Sequence, residues 1–282
     1  MARLSIIIVS YNARADLLRC IESIRTHRPQ IDHQIVVVDN ASSDRAADAV
    51  RARWSDVTVL EAGGNLGFSR ANNLGIRQTA SELVLLLNPD TVVDDNAIDA
   101  LVGRLDSRSD VAVAGPRLVD TSGKAELSFG PMIGPFAEAR QKVLVRGNDQ
   151  GVGPIVKYVD ALTRREQDID WVSGACLLVR RADAEAVGLL DERYFMYVED
   201  VDFCAAIRAK GRTVLFTPAA QVVHVRGRSA ASSVTATAAA YQHSHIAFYE
   251  KHHPGWAPVL RGYLRITGRW PDRSDTPAKV SK

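Results

Sequence analysis

Through the first 120 residues, short apolar, β-branched runs alternate with stretches whose apolar residues recur at helical spacing. Strands are expected at 4–10, 34–39, 57–61, 83–87 and 111–114, and helices at 13–27, 45–54, 69–79 and 96–106. The run Leu83-Val84-Leu85-Leu86-Leu87 is apolar at every position. A strand covered on both faces requires that, and a half-exposed strand does not. The alternation therefore predicts βαβ units and an α/β, doubly wound, mainly parallel central sheet. Ligands of such sheets collect beyond the carboxyl ends of the strands, so the informative residues should follow each run directly.

They do. The first run ends in Ser10-Tyr11-Asn12 and the second in Asp39-Asn40-Ala41-Ser42-Ser43-Asp44. The third leads to Gly63-Gly64-Asn65-Leu66-Gly67-Phe68, and the fourth ends in Asn88-Pro89-Asp90. From about 120 to 170 the pattern weakens under repeated Gly and Pro, which reads as a long irregular excursion. Order returns at 171–179, with helices expected at 182–187 and 199–210, a strand at 213–216, and the segment Val222-Val223-His224. Beyond Pro258, Val259, Tyr263, Ile266 and Trp270 fall on one helical face and Arg261, Arg265 and Arg269 on a roughly opposite one. A basic amphipathic helix of this kind either lies on an anionic membrane or docks on its own domain with the arginines solvated. The residues after Pro271 read as disordered.

Composition narrows the function. With 282 residues, 46% of them hydrophobic, the chain can bury one large core. A net charge of +2 provides no field for a polyanion, so no nucleic acid partner is expected. Cys20, Cys176 and Cys204 are scattered and odd in number, as in a reduced cytosolic protein. The N-terminal apolar run is too short to span a membrane, and no signal-peptide cleavage pattern follows it. A nicotinamide or flavin enzyme needs a Gly-x-Gly-x-x-Gly turn after its first strand; here that turn is Ser10-Tyr11-Asn12-Ala13-Arg14-Ala15. A nucleotidyltransferase would carry a glycine-rich basic loop at the same place.

Several side chains at these strand ends suit specific chemistry. Asp39 could accept a hydrogen bond from N3–H of uracil or thymine, or could simply cap a turn. Gly67 permits a positive φ at a helix start that attracts phosphate, and Arg70 lies within reach of a base or diphosphate. Asp90 offers one carboxylate to a hard cation, Mg²⁺ or Mn²⁺, while Asn88 offers only a neutral carbonyl. Glu199, Asp200 and Asp202 open a helix, where acidic residues either cap or perform acid–base chemistry.

Taken in order, Ser10-Tyr11-Asn12, Val38 to Asp44, Asn65-Leu66-Gly67-Phe68, Asn88-Pro89-Asp90 and Tyr197 to Asp202 resemble the inverting family 2 glycosyltransferases of GT-A fold. The bacterial rhamnosyltransferase-like branch is the nearest in pattern, over about residues 4–229. The resemblance implies a GT-A catalytic domain over 1–250 and a helical tail over 251–282. Within the domain it implies a donor-binding half at 1–120, the excursion at 121–170 and an acceptor half at 171–250. Ser10, Tyr11, Asn12, Asp39, Asn65, Gly67, Arg70, Asn88 and Asp90 would contact the nucleotide sugar. Asp90 and His224 would hold the metal, and Asp200 would be the general base. Trp171, Gly174 and Glu199 would border sugar and acceptor, and Arg226 and Arg228 would neutralise the diphosphate. Asn-Pro-Asp departs from the Asp-x-Asp of many relatives and leaves one carboxylate where they have two. The implied donor is dTDP-rhamnose, with a UDP-hexose as the alternative. The implied acceptor is a polysaccharide or lipid-linked glycan, met in the cytoplasm or at the inner face of the cell membrane. A catalytically inactive nucleotide-sugar-binding protein is the reading from another class.

Overall fold

The computed structural model describes residues 2–225 and 234–271, with side chains from 238 onward in the second segment. The elements run β1 (Leu4–Ser10), α1 (Arg14–Thr26), β2 (His33–Asp39), α2 (Ala46–Arg53), β3 (Thr58–Glu61), α3 (Gly67–Arg77) and β4 (Leu83–Leu87). There follow β5 (Thr91–Val93), α4 (Ala97–Asp106), β6 (Val111–Val119), β7 (Phe129–Gly130), α5 (Pro135–Asp149), α6 (Gly153–Leu162), β8 (Gln167–Ile169) and β9 (Trp171–Val172). The chain continues through β10 (Cys176–Arg180), α7 (Arg181–Ala186), α8 (Glu199–Ala209), β11 (Thr213–His224), α9 (Val234–His252) and α10 (Ala257–Ile266).

Alternate residues of a strand point to opposite faces, and here each face has its own core. Leu4, Ile6 and Ile8 of β1 join Leu17, Ile21 and Ile24 of α1 and Leu101 and Leu105 of α4. Ile7 instead meets Ala71 and Ile76 of α3 and Phe203 and Ile207 of α8. That two-sided burial explains the unbroken apolar runs. A third cluster, with Tyr194, Val201, Phe248 and Tyr249, seats α9 beside α8.

The main sheet has the order β3-β2-β1-β4-β10-β6-β11-β5, with β8 also on β11. The pairs β3–β2, β2–β1 and β1–β4 are parallel, as is β6–β11. Strand β10 runs antiparallel between β4 and β6, which makes the sheet mixed. In-register pairing of Ser10 with Asp39, and of Asp39 with Glu61, brings the ends of the first three strands level.

The region expected to be an irregular excursion over 121–170 holds two helices, α5 and α6. The residues that suggested a break instead start and pack these helices. Pro135 and Pro154 occupy first turns, where a missing N–H costs nothing. A Cβ at Gly147 would lie 2.3 Å from Ile155 Cδ1, so glycine is what lets α6 close on α5. The separate segments expected at 213–216 and 222–224 form one strand, β11, which passes Pro218 through a register shift between Thr217 and Gln221. In the tail, α10 docks through Ala257, Leu260 and Leu264, and its Val259, Tyr263 and Ile266 face outward. Arg261 pairs with Glu250, and Arg265 stacks over the Trp270 ring at 4.5 Å. Among the described residues no helix is long and apolar enough to cross a membrane. The three cysteines are free and buried, which pushes the Cys20 and Cys204 thiols up to about 12.

Candidate active site

Ser10 and Asp39, side by side at the ends of β1 and β2, are both buried. Ser10 Oγ and Asp39 Oδ1 have no hydrogen-bond partner among the described residues. Leaving buried polar atoms unpaired costs about 1–3 kcal/mol each, so such atoms in a native fold await a partner. Asp39 Oδ2 accepts weakly from the Ser42 N–H at 3.3 Å, so capping occupies only one of its oxygens. Tyr11 is 42% exposed, open to a ligand. Asn12, at φ 50°, accepts from the Ser43 N–H at 2.7 Å and ties the two loops together.

Asn65, Gly67 and Arg70 also make contacts within the protein. Asn65 Oδ1 accepts from Asn40 Nδ2 at 2.9 Å and from the Gly67 N–H at 3.2 Å. Gly67 has the positive φ expected, +79°, but what it approaches is protein. A Cβ there would stand 2.3 Å from the Phe195 carbonyl oxygen, which accepts from the Phe68 N–H at 2.6 Å. The N-terminus of α3 thus grips the segment that carries Glu199 and Asp200. Arg70 pairs with Glu192 at 3.5 Å.

Beyond β4, the Asn88 N–H donates to the Ala175 carbonyl at 2.9 Å. This bond lays the Ser173-Gly174-Ala175 turn against Asn88-Pro89-Asp90. Gly174 N–H in turn donates to Asp200 Oδ2 at 2.8 Å, and the Val201 N–H donates to Oδ1 at 2.8 Å. An added Cβ on Gly174 would sit 3.5 Å from Asp200 Cβ, an ordinary contact, and 3.3 Å from the Phe68 ring, which would have to give by a few tenths of an ångström. Burial raises the Asp200 carboxyl above its usual range, against these hydrogen bonds. Glu199 is pushed well above its usual value by burial and then by Asp200, and its Oε2 is unpartnered among the described residues. Burial pushes the Tyr197 hydroxyl up, and Glu199 and then Asp90 add to it. Tyr197 and Val198 adopt φ of 72° and 69°; two consecutive left-handed non-glycine residues, one β-branched, mark strain just ahead of the acidic helix. Trp171 packs in the core, with its indole N–H on the Pro131 carbonyl at 2.9 Å.

Asp90 is buried, and its Oδ1 has no hydrogen-bond partner among the described residues. His224 pairs in register with Thr91, which sets its Nε2 3.5 Å from that oxygen. The other ring nitrogen, Nδ1, lies 3.1 Å from Glu126 Oε2. A carboxylate on one imidazole nitrogen, with the other nitrogen aimed at a second carboxylate, is how proteins orient a metal-binding histidine. Burial pulls the His224 imidazole down, but Asp90 and Glu126 outweigh it and push it up to about 9. The pair therefore holds a proton where a cation would replace it. Among the described residues no three His, Cys, Asp or Glu side chains form a ready metal cage. Asp90 and His224 fit a divalent ion that takes its remaining ligands from substrate phosphates. Glu126 was not singled out from sequence, since it lies in the stretch of weak pattern before β7. Asp202, expected as a cap or a functional acid, is buried structure: it accepts from Tyr194 Oη at 3.1 Å and pairs with Lys251 and His252 of α9. Arg226 and Arg228 lie outside the described residues.

A sequence profile described as Glycosyl transferase family 2 matches residues 5–185. An N-acetylglucosaminyl-diphospho-decaprenol L-rhamnosyltransferase of Mycobacterium tuberculosis is 31% identical over 93% of this chain and 91% of its own. Rhamnosyltransferase WbbL of Escherichia coli is 23% identical over 78% of this chain and 82% of its own. The mannosyltransferase PcManGT of Pyrobaculum calidifontis, solved with GDP-Man and Mn²⁺, superposes with a TM-score of 0.62 over 94% of this chain and 70% of its own, at 18% identity. GalNAc-T7, solved with UDP, GalNAc and Mn²⁺, gives 0.60 at 17% identity over 80% of this chain, which spans 44% of that one. With the motifs in order on a GT-A sheet, the chain belongs to glycosyl transferase family 2 and is a rhamnosyltransferase-like glycosyltransferase.

Proposed function

We propose that the chain transfers a rhamnosyl group from dTDP-rhamnose, with inversion, to a hydroxyl of a saccharide carried on a lipid diphosphate. The observation that carries the proposal is Asp200. It is a partly buried carboxylate held by the Gly174 N–H, next to Glu199 and one turn of chain away from Asp90. The acceptor named for the mycobacterial relative supports the lipid-linked class.

In this reading, residues 1–120 hold the donor, and Asp39 Oδ1 accepts N3–H of thymine. Asn88 and the exposed Tyr11 border the nucleotide, and Arg226 and Arg228 meet the diphosphate. Asp90 and His224 would hold Mg²⁺ or Mn²⁺ on the diphosphate, where the ion would neutralise charge on the departing group. The acceptor oxygen bonds to the anomeric carbon as the bond from that carbon to the phosphate oxygen breaks. Its proton passes to Asp200, and dTDP departs with the bonding pair. Burial, and then the neighbouring Asp200, push the Glu199 carboxyl well above its usual range and favour its neutral form beside the base. The acceptor half, with Trp171 packed beneath it, meets its substrate at the cytoplasmic face of a membrane.

The test offers dTDP-rhamnose and a set of UDP-hexoses with N-acetylglucosaminyl diphospholipid, and reads product linkage by NMR. Inverted rhamnosyl product from wild type, none from Asp200→Asn, and equal dTDP-rhamnose binding by both is the expected result. Transfer from a UDP-hexose alone would overturn the donor, and active Asp200→Asn would overturn the base.

A further inference from the structure

Between α5, α9 and α10 lies a cavity of about 990 Å³, at the upper end of the roughly 300–1,000 Å³ typical of small-molecule sites. Its wall is mostly apolar and includes Pro135, Ala139, Tyr241, Trp256, Val259 and Tyr263. Val259 and Tyr263 remain 58% and 53% exposed, although a helix that only needed to dock would have turned them inward. Two cations, Lys142 and Arg269, share the wall with one carboxylate, Glu138. That carboxylate is already engaged by His245, Tyr249 and Lys142. The cavity reaches Tyr197, two residues before Glu199 in the chain, whose ring is 6.0 Å from that of Tyr241.

We propose that this groove binds the isoprenoid chain of the acceptor, with Lys142 and Arg269 attracting the diphosphate that joins chain to sugar. The inference rests on the lipid-linked acceptor proposed above. Continuity with the catalytic carboxylates favours this occupant. A chain tethered to the acceptor sugar must leave the active site along some path, and this concave path is apolar with net positive charge.

The experiment compares two acceptors with the same saccharide diphosphate, one on a long polyprenyl tail and one on a geranyl tail. In the double variant Val259→Gln/Tyr263→Gln, the ratio of long-tail KM to short-tail KM should rise about tenfold or more over wild type. An unaltered ratio overturns the proposal. A second arm omits the donor and crosslinks a diazirine-tipped polyprenyl diphosphate to wild-type protein. Labels within Ala257–Ile266 that excess polyprenyl diphosphate removes support the groove, and their absence overturns it. Wild type that labels there yet transfers to neither acceptor would refute the transferase reading and leave the groove standing. If phosphatidylglycerol vesicles bind wild type but not the double variant, and labelling is not competed, the face is a membrane surface and the groove proposal fails.

Discussion

Gly67→Ala tests whether the start of α3 positions the acidic helix. Alanine at φ +79° costs about 1–2 kcal/mol from the left-handed backbone alone. Its Cβ would also stand 2.3 Å from the Phe195 carbonyl oxygen and 2.6 Å from the Phe195 ring, so that segment must retreat by about 1 Å to reach ordinary contact. Retreat breaks the 2.6 Å bond from the Phe68 N–H, worth about 1 kcal/mol net. The expected loss of stability is therefore roughly 2–3 kcal/mol by urea unfolding. A displacement of about 1 Å next to Glu199 and Asp200 should lower kcat about 100-fold. Gly63→Ala is the matched control. Its φ is +72°, but nothing lies within 4 Å of the added Cβ, so it should lose only about 1–2 kcal/mol and keep its kcat. Equal kcat in the two variants would refute the positioning argument.

Glu126→Gln should weaken Mn²⁺ binding about 10–100-fold, read as free Mn²⁺ by electron paramagnetic resonance, because His224 loses the carboxylate that orients it. Glu199→Gln should stabilise the fold while impairing transfer. Burial raises the folded pKa of Glu199 above 4.5, so ionisation penalises the folded state; the variant's advantage in Tm is absent below pH 4.5 and widens as pH rises. The acid limb of the kcat profile should fall above pH 3.8, the ordinary aspartate value, because burial raises Asp200; a limb at or below 3.8 would count against it as the base.

Strand ends were legible from the sequence because the sheet needs two-faced apolar runs, and those runs point to the residues that follow them. Ser10, Asp39 and Asp90 stand at such strand ends, whereas Asp200 opens a helix and was singled out by the resemblance of its acidic motif. The helices α5 and α6 were not, because Gly and Pro look alike whether they break a helix or start and pack one, as Pro135 and Gly147 do. Nor could spacing show that Asn65 and Gly67 would turn toward Asn40 and Phe195, since those contacts join loops distant in sequence. Glu126 reaches His224 across 98 positions, with no motif around it to draw notice. The periodicity of α10 was read correctly, but only tertiary packing decides which stripe faces inward. Leu260 and Leu264 took the inner side and left Val259, Tyr263 and Ile266 outside.

The antiparallel insertion of β10 also has a consequence for biosynthesis. The open side of β4 is covered only when Cys176–Arg180 pairs with Leu83–Leu87. On a ribosome adding roughly 5–20 residues per second, the five-residue aliphatic strand emerges several seconds before its cover. During that interval its free hydrogen-bonding edge can template pairing between nascent chains. Parallel addition of β1 and β2 protects the opposite side only. Nascent chains ending before β10 should therefore be the forms that chaperones hold, and the full-length chain should be released as that strand closes the sheet.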